Sequence, residues 1–202
     1  MVRALLWDIG NVIVRWDPRT LYTKIFEEPA ELDRFLSSVC TLEWHQAHDR
    51  GVSFADNASP LIAQHPHYDR QIRAWRERWA EMFSGAIPET ERAIEELARQ
   101  GVPQFGLSNI SAEVIDHACS LSPAFARLQG IIVSGAEGLV KPDPAIFQLT
   151  CERFGLQPSE FLFVDDSLAN IEQARALGFD VHHFTDPAML APALRRRGLL
   201  SA

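Results

Sequence analysis

The sequence predicts an α/β protein with a parallel sheet at its core and a helical cap inserted after the first strand. Residues 3–8 contain the run Ala4-Leu5-Leu6-Trp7, which is apolar on both faces, as a central parallel strand is. Short apolar runs alternate with helical segments from residue 87 onward, which is typical of a sheet covered by helices on both faces. Residues 18–83 instead show few strand-like runs and mostly helical spacing.

The alternating part of the chain contains the other predicted strands and helices. One helix begins at Pro88 and ends at Gly101, two residue types that favour those positions. The strands that follow are predicted at residues 102–107, 130–133, 161–164 and 181–184. The accompanying helices are predicted at residues 111–119, 144–154, 168–177 and 187–197. This order indicates a Rossmann-like, doubly wound sheet, in which ligands bind at the carboxyl ends of the strands.

The segment between the first strand and the alternating part is predicted to form the cap. Five apolar side chains recur three or four residues apart and define one helical face: Tyr68, Ile72, Trp75, Trp79 and Met82. We interpret this stripe as packing inside a small helical bundle. The predicted domains are a core of residues 1–15 and 86–202 and a helical cap of residues 16–85.

Composition and charge argue against several classes of function. The net charge of −8 disfavours a nucleic-acid-binding surface, which needs a basic face. No segment approaches the roughly 18 apolar residues of a membrane span, and the short apolar run before Asp8 does not resemble a signal peptide. Three separated cysteines lack metal-site spacing and suggest free thiols. We therefore expect a cytoplasmic protein that acts on a small molecule.

Chemically useful side chains stand just after the predicted strands. There are six of them: Asp8, Ser108, Asn109, Lys141, Asp165 and Asp166. Lys141 follows its strand through a Gly-rich segment, residues 135–138, which we expect to be a turn. Singly, each has an ordinary explanation as a turn or capping residue. Their recurrence at one edge of the sheet favours a single site.

Together these residue types suit phosphoryl chemistry. Three carboxylates at one point repel one another unless a cation neutralises them, and hard oxygen ligands favour Mg²⁺. Lys141 adds a positive charge, and the Ser108 hydroxyl and nearby backbone N–H groups can hold phosphoryl oxygens. One carboxylate is then free to attack phosphorus and form an aspartyl phosphate that water cleaves. The pattern therefore predicts a magnesium-dependent hydrolase of phosphate esters.

Four motifs in this order resemble those of the haloacid dehalogenase-like hydrolase superfamily. They are Asp8-Ile9-Gly10-Asn11-Val12-Ile13-Val14, Leu107-Ser108-Asn109, Lys141-Pro142 and Val164-Asp165-Asp166-Ser167. The likeness spans residues 3–185, and the segment after the first motif resembles the helical type-1 cap of the superfamily. Within it, residues 8–14, 43–51, 141–147 and 165–178 more closely resemble bacterial sugar-phosphate phosphatases of the α-D-glucose-1-phosphate phosphatase type.

The resemblance implies a role for each residue at the metal. Asp8 is expected to be the nucleophile and a Mg²⁺ ligand. Gly10 is expected to offer its backbone carbonyl to the metal and to line the substrate site. Asp166 resembles the direct carboxylate ligand of the fourth motif. Asp165 is expected to bind the metal through water or to hold Lys141.

The resemblance also implies which residues contact the substrate. Ser108 and Asn109 are expected to bind the phosphoryl group, and Lys141 to stabilise its charge during catalysis. In the cap, His45 and His48 are expected to face the substrate. The predicted ligand is therefore a small phosphorylated molecule, with a sugar phosphate as the first candidate.

Gly10 is a departure from most phosphatases of the superfamily. They carry a second aspartate there, which protonates the leaving oxygen and later activates water. Three explanations stay open: a leaving group that needs little protonation, an acid supplied by the cap (His45, His48 or Asp49), or an activity other than phosphatase. The last includes a 2-haloacid dehalogenase-type hydrolase, which needs neither proton donor nor metal, and a non-catalytic binder of phosphorylated ligands.

Overall fold

The structure, a computed structural model, describes residues 2–201 and confirms the predicted α/β class. Its strands are β1 (Ala4–Trp7), β2 (Val14–Trp16), β3 (Phe83–Ala86), β4 (Gln104–Ser108), β5 (Ile131–Val133), β6 (Phe161–Asp165) and β7 (Asp180–His183). The main sheet has five strands in the order β5-β4-β1-β6-β7, and all of its pairings are parallel. The apolar run that predicted a central strand therefore lies in the middle of the sheet.

Helices cover both faces of this sheet and fill the segment between β1 and β4. They are α1 (Pro18–Tyr22), α2 (Pro29–Ser38), α3 (Leu42–Asp49), α4 (Phe54–Gln64), α5 (Asp69–Glu77), α6 (Pro88–Arg99), α7 (Ile115–Ser120), α8 (Ser134–Glu137), α9 (Pro144–Phe154), α10 (Leu168–Ala176) and α11 (Leu190–Arg196). Short 3₁₀ turns span Pro66–Tyr68, Trp79–Met82, Pro123–Arg127, Pro158–Glu160 and Pro187–Met189. None of the helices in residues 2–201 combines the length and the apolar character needed to cross a membrane.

The strand register brings the ends of three strands to one level. Trp7, the last residue of β1, is opposite Gly106 on one side and Val164 on the other. The backbone N–H of Asp8 continues this pairing by donating to the carbonyl of Val164 at 2.9 Å. Side chains that follow β1, β4 and β6 therefore emerge together at the carboxyl edge, as the sequence predicts for a parallel sheet.

The apolar stripe of the helical segment is buried, but it does not lie on one helix. Ile72 and Trp75 belong to α5, while Trp79 and Met82 lie in the following 3₁₀ turn and Tyr68 in the preceding one. The first four are nearly inaccessible to solvent, and Tyr68 is partly buried. The spacing thus identified the buried face correctly, although the helix ends at Glu77 rather than continuing to Met82.

A two-stranded ribbon, which the sequence does not predict, forms both connections to the helical segment. β2 and β3 pair antiparallel, with Val14 opposite Ala86 and Trp16 opposite Phe83. Each strand is too short to show an apolar period, and the partners are far apart in the chain. The ribbon joins the entry of the helical segment to its exit.

Two further segments differ from their predicted structure. Residues 135–138, expected to be a turn, belong mostly to the short helix α8, which ends at Gly138 in the left-handed region (φ 69°). The helix expected at 111–119 begins only at Ile115. Residues before Ile115 cross over the carboxyl edge of the sheet, where the Ile110 N–H donates to the Ser134 hydroxyl at 2.9 Å.

We predict that Gly135→Ala destabilises the fold by about 1–3 kcal/mol through overpacking. A Cβ at Gly135 would lie only 2.8–2.9 Å from backbone atoms of Ile110, Ser111 and Ala112, which cannot move as a side chain can. Urea unfolding measures the effect. As the control, Ala136→Ser adds one atom at an exposed position of the same helix and should change stability by less than about 0.5 kcal/mol. Equal effects would contradict the prediction.

Candidate active site

Asp8 lies at the bottom of a cavity of about 470 Å³ at the carboxyl edge of the sheet. Its side chain is about 90% buried. The Oδ1 atom accepts a hydrogen bond from the Ile9 N–H at 2.7 Å and pairs with the ammonium group of Lys141 at 2.8 Å. Both contacts fall on one oxygen, so these two partners leave the other oxygen of Asp8 unengaged.

Lys141 is held by three acceptors, which match the three N–H donors of its ammonium group. The Nζ atom contacts Asp8 Oδ1 at 2.8 Å, Asp165 Oδ2 at 2.7 Å and the carbonyl oxygen of Leu107 at 2.9 Å. Its side chain is 1% exposed. The positive charge is therefore fixed between β4, β1 and β6 before any ligand binds.

The two aspartates at the carboxyl end of β6 have different environments. Asp165 is fully buried, and its oxygens accept hydrogen bonds from Lys141, the Ser167 N–H and the Asn170 side-chain amide at 2.7–3.1 Å. Asp166 is exposed and lines the cavity. Geometry thus favours Asp165 as the group that holds Lys141, one of its two expected roles, and leaves Asp166 accessible to a ligand.

The three carboxylates converge as a metal site requires. Asp8, Asp165 and Asp166 each offer an oxygen, and these oxygens lie within 4.8 Å of one another. Such a cluster of hard oxygen donors suits Mg²⁺, with Asp8 and Asp166 as its accessible ligands. Gly10 also lines the cavity, beside this cluster.

Burial and mutual repulsion perturb the charged groups. Burial raises the pKa of Asp8 to about 7, with Lys141 opposing the rise and Asp165 and Asp166 adding to it. Burial and Asp165 also raise the pKa of Asp166. Burial alone would lower the pKa of Lys141, but Asp165 and Asp8 outweigh it and raise that pKa to about 12. Negative charge is in excess here, which a divalent cation would relieve.

Ser108 and Asn109 both line the cavity, but their side chains are engaged differently. Ser108 is 3% exposed at the end of β4. The Asn109 amide binds the backbone of Lys141, with its Oδ1 accepting from the Lys141 N–H at 2.8 Å and its Nδ2 donating to the Lys141 carbonyl at 2.9 Å. Asn109, expected to bind the phosphoryl group, therefore also fixes the position of Lys141.

The helical segment supplies the opposite wall of the cavity, which is mostly aromatic. Trp16 and Trp79 line it with His45, whose ring stacks on Trp16 at a centroid distance of 5.2 Å. His48, which was expected to face the substrate, does not line the cavity. It is fully buried, stacks on Phe54 at 4.2 Å, and its Nε2 lies 2.9 Å from the Asn57 amide.

Sequence reasoning missed or undervalued two polar residues of the site. Asn170 holds Asp165, and its position on the first turn after the Asp165-Asp166 pair is a signal that could have found it. Asp49 lines the cavity together with Asp8, although the sequence left it as one of three candidates in the cap. Its i, i+4 spacing from His45 places both on one helical face.

A family model of haloacid dehalogenase-like hydrolases matches residues 2–178. The chain belongs to this family. It is therefore a hydrolase, and its parallel sheet with the site at the carboxyl edge agrees with that membership.

Relatives with phosphatase names align along most of this hydrolase. It is 25% identical over 200 residues to the sesquiterpene phosphatase astK of Aspergillus oryzae, covering 96% of this chain and 95% of that protein. It is 26% identical over 189 residues to D-ribitol-5-phosphate phosphatase of Bacteroides thetaiotaomicron, covering 89% and 90%.

A solved structure shares the fold. It is a haloacid dehalogenase-like enzyme from Bacteroides thetaiotaomicron in complex with magnesium and inorganic phosphate. It superposes with a TM-score of 0.69 at 22% identity and covers 90% of this chain and 93% of that one.

We predict that Lys141→Met lowers the free energy of unfolding by about 3–5 kcal/mol, because it leaves the buried Asp8 and Asp165 carboxylates without a counter-charge. Urea unfolding at pH 8 without divalent metal measures this. The control is Lys24→Met, which removes an exposed ion pair to Glu81 (2.9 Å) and should cost less than about 1 kcal/mol. Similar losses in the two variants would refute the special role of the buried ammonium.

Proposed function

We propose that this hydrolase is a magnesium-dependent phosphatase that cleaves a small phosphomonoester through an aspartyl phosphate on Asp8. The observation that carries the proposal is the convergence of Asp8 and Asp166 beside a fixed Lys141–Asp165 pair in one cavity. A carboxylate nucleophile, oxygen ligands and a buried cation are what phosphoryl transfer needs for positioning and charge stabilisation.

Each residue then has a defined task. Asp8 and Asp166 would hold Mg²⁺ together with the backbone carbonyl of Gly10, while Asp165 fixes Lys141. Bound Mg²⁺ would neutralise charge on the phosphoryl oxygens. Lys141, whose donors are engaged within the site, would stabilise the phosphoryl charge through its positive charge. Ser108 would bind a remaining phosphoryl oxygen and orient the phosphorus toward the free oxygen of Asp8. That oxygen attacks, the bond to the leaving oxygen breaks, and water later cleaves the aspartyl phosphate.

The chemistry of the donor set weighs against the two alternatives. Attack on carbon with loss of halide, as in a 2-haloacid dehalogenase, gives no use to the accessible Asp166 carboxylate beside Asp8. In a non-catalytic binder, the Asp8 carboxylate buried against Lys141 would not contribute to binding, because a site for a phosphorylated ligand only needs positive charge. The phosphatase names of two full-length relatives support the same choice.

The lining of the cavity suits two classes of substrate, which differ in the group attached to the phosphate. A polar recess of about 330 Å³, lined in part by Gln46, Arg50 and Asp143, adjoins the main cavity and suits a sugar phosphate, the candidate from sequence resemblance. The aromatic wall of Trp16 and Trp79 suits an apolar body, as the likeness to a sesquiterpene phosphatase also suggests. A phosphate-release screen over sugar, apolar alkyl and aryl phosphates separates the two.

Residues 16–85 act in this proposal as a cap over the core of residues 1–15 and 86–202. Helices α1 to α5 occupy the segment, and it contributes Trp16, His45 and Trp79 to the cavity. The cap would thus hold the substrate body and limit the entry of water while the core holds the phosphoryl group.

We predict that Asp8→Asn lowers phosphate release at least about 1,000-fold on every substrate of the screen, because an amide cannot attack phosphorus. The fold should persist, as measured by circular dichroism and thermal unfolding. Asp186→Asn is the matched control, since it removes the same charge at an exposed capping position that does not line the cavity. Appreciable turnover by the Asp8 variant would refute the mechanism.

We predict that chelation with EDTA lowers phosphate release at least about 100-fold and that added Mg²⁺ restores it, because the carboxylate cluster needs a cation to accept a phosphoryl dianion. Steady-state assays with buffered free Mg²⁺ measure the dependence. Asp166→Asn should raise the Mg²⁺ concentration needed for half-maximal activity by about tenfold. Phosphate release that EDTA leaves unchanged would contradict the proposed magnesium dependence.

A further inference from the structure

The geometry points to Asp49 as the general acid and base that Gly10 does not provide, an inference that rests on the proposed phosphatase function. Asp49 comes from the last turn of α3, lines the same cavity as Asp8, and is 94% buried. It would protonate the leaving oxygen in the first half of the reaction and activate water in the second.

One oxygen of the Asp49 carboxyl group has no hydrogen-bond partner among residues 2–201. This Oδ1 atom is buried, and His45 Nε2, at 3.6 Å, is too far away for a hydrogen bond. An unpartnered carboxyl oxygen in a buried position is costly and therefore calls for a functional reason. Proton exchange with a ligand in the cavity supplies one.

The electrostatic surroundings keep Asp49 near its protonated form at neutral pH. Burial raises its pKa to about 7, while the adjacent Arg50 and Lys141 from the core oppose the rise. A general acid and base works best when its pKa lies near the working pH, since it must both give up and regain a proton. Asp49 meets that requirement.

The two histidines of the cap, His45 and His48, do not have a pKa near the working pH. Burial, with a smaller effect of His48, lowers the pKa of His45 to about 3, and burial lowers that of His48 to about 4. Both rings are therefore neutral at physiological pH and carry no readily transferred proton. The Nδ1 atoms of the two rings lie 3.2 Å apart, so adding a proton to both would place two charges in contact. Asp49 is thus the cap group best suited to proton transfer.

The end of α3 is held against the core next to Lys141. Gly51 adopts φ 93° and approaches the carbonyl oxygen of Gly135 so closely that a Cβ would lie 2.9 Å from it. At its other end the helix is capped by the Thr41 hydroxyl, which accepts from the Trp44 N–H at 3.0 Å. These contacts fix Asp49 above the core rather than leaving it on a free loop.

The proton and electron balance is complete with Asp49 in this role. The Asp8 carboxylate attacks phosphorus, the bond from phosphorus to the leaving oxygen breaks, and the Asp49 carboxyl proton passes to that oxygen. Alcohol departs and Asp49 is left ionised. It then takes a proton from water as the water oxygen attacks phosphorus, the bond to Asp8 breaks, and inorganic phosphate leaves with Asp49 protonated again.

The test compares Asp49→Asn with the parent protein on the best aryl and the best alkyl phosphate of the screen, in single-turnover and steady-state assays with Mg²⁺. The first step with the alkyl ester should slow by about 10²–10⁴-fold, because an alkoxide is a poor leaving group without a proton. The aryl ester should still phosphorylate Asp8. It should give a burst of one phenol per enzyme, with phosphoryl-Asp8 trapped by acid quench and detected by mass spectrometry.

Two variants separate this role from a structural one. Glu43→Gln changes one exposed carboxylate on the same helix and should leave both rates unchanged. Gly10→Asp in the Asp49→Asn background should recover turnover of the alkyl ester, because a Cβ at Gly10 meets nothing within 4 Å and the new carboxyl can protonate the leaving group. A structural defect at Asp49, including loss of folding, would not be rescued in this way.

Results that contradict the role of Asp49 differ from results that contradict the phosphatase proposal. Parent-like rates in Asp49→Asn, equal losses on both esters without trapped phosphoryl-Asp8, or no rescue by Gly10→Asp would each overturn the role of Asp49. They would leave the phosphatase proposal intact as long as the parent protein hydrolyses the esters and Asp8→Asn does not. Failure of the parent protein to release phosphate from any ester would overturn both proposals.

Discussion

Lys141 places a buried positive charge between two carboxylates at the carboxyl edge of the sheet, and the remaining geometry of the site depends on it. All three of its donors are used, by Asp8, Asp165 and the Leu107 carbonyl, which belong to three neighbouring strands or their ends. The Asn109 amide fixes the Lys141 backbone in turn. Because these contacts hold the ammonium group in place, the phosphoryl group of the proposed reaction would require little reorganisation of the site, which is how preorganised sites stabilise developing charge.

The wall of the cavity contributed by the helical segment would control protonation in the proposed mechanism, whereas the core would stabilise charge. Aromatic packing around His45 and His48 excludes water and keeps both rings neutral, whereas burial keeps Asp49 close to its protonated form. The core thus supplies fixed charges and the opposite wall supplies an apolar surface with one titratable carboxyl. In the proposed mechanism, this division would allow proton transfer although position 10 is a glycine rather than an aspartate.

Much of the fold could be predicted because its signals are local. The apolar runs before Asp8 and Asp165 identified buried parallel strands, and the spacing of Ile72, Trp75 and Trp79 identified a buried face. The environment of His48 could not be predicted in this way. The position of both histidines in the cap suggested that they face the substrate, but His48 packs on Phe54 and does not line the cavity.

The sequence by itself determined the α/β class, the order of the strand-end motifs and the identities of Asp8, Lys141, Asp165 and Asp166, since these follow from short apolar runs and the residues that end them. Only the tertiary structure decided which partners those side chains take. In the folded chain, β2 pairs with β3 and the Asn170 amide donates a hydrogen bond to Asp165. The end of α3, which carries Asp49, lies against the core. The reason is that strand pairing, burial and pKa depend on groups distant along the chain, and no local pattern records them.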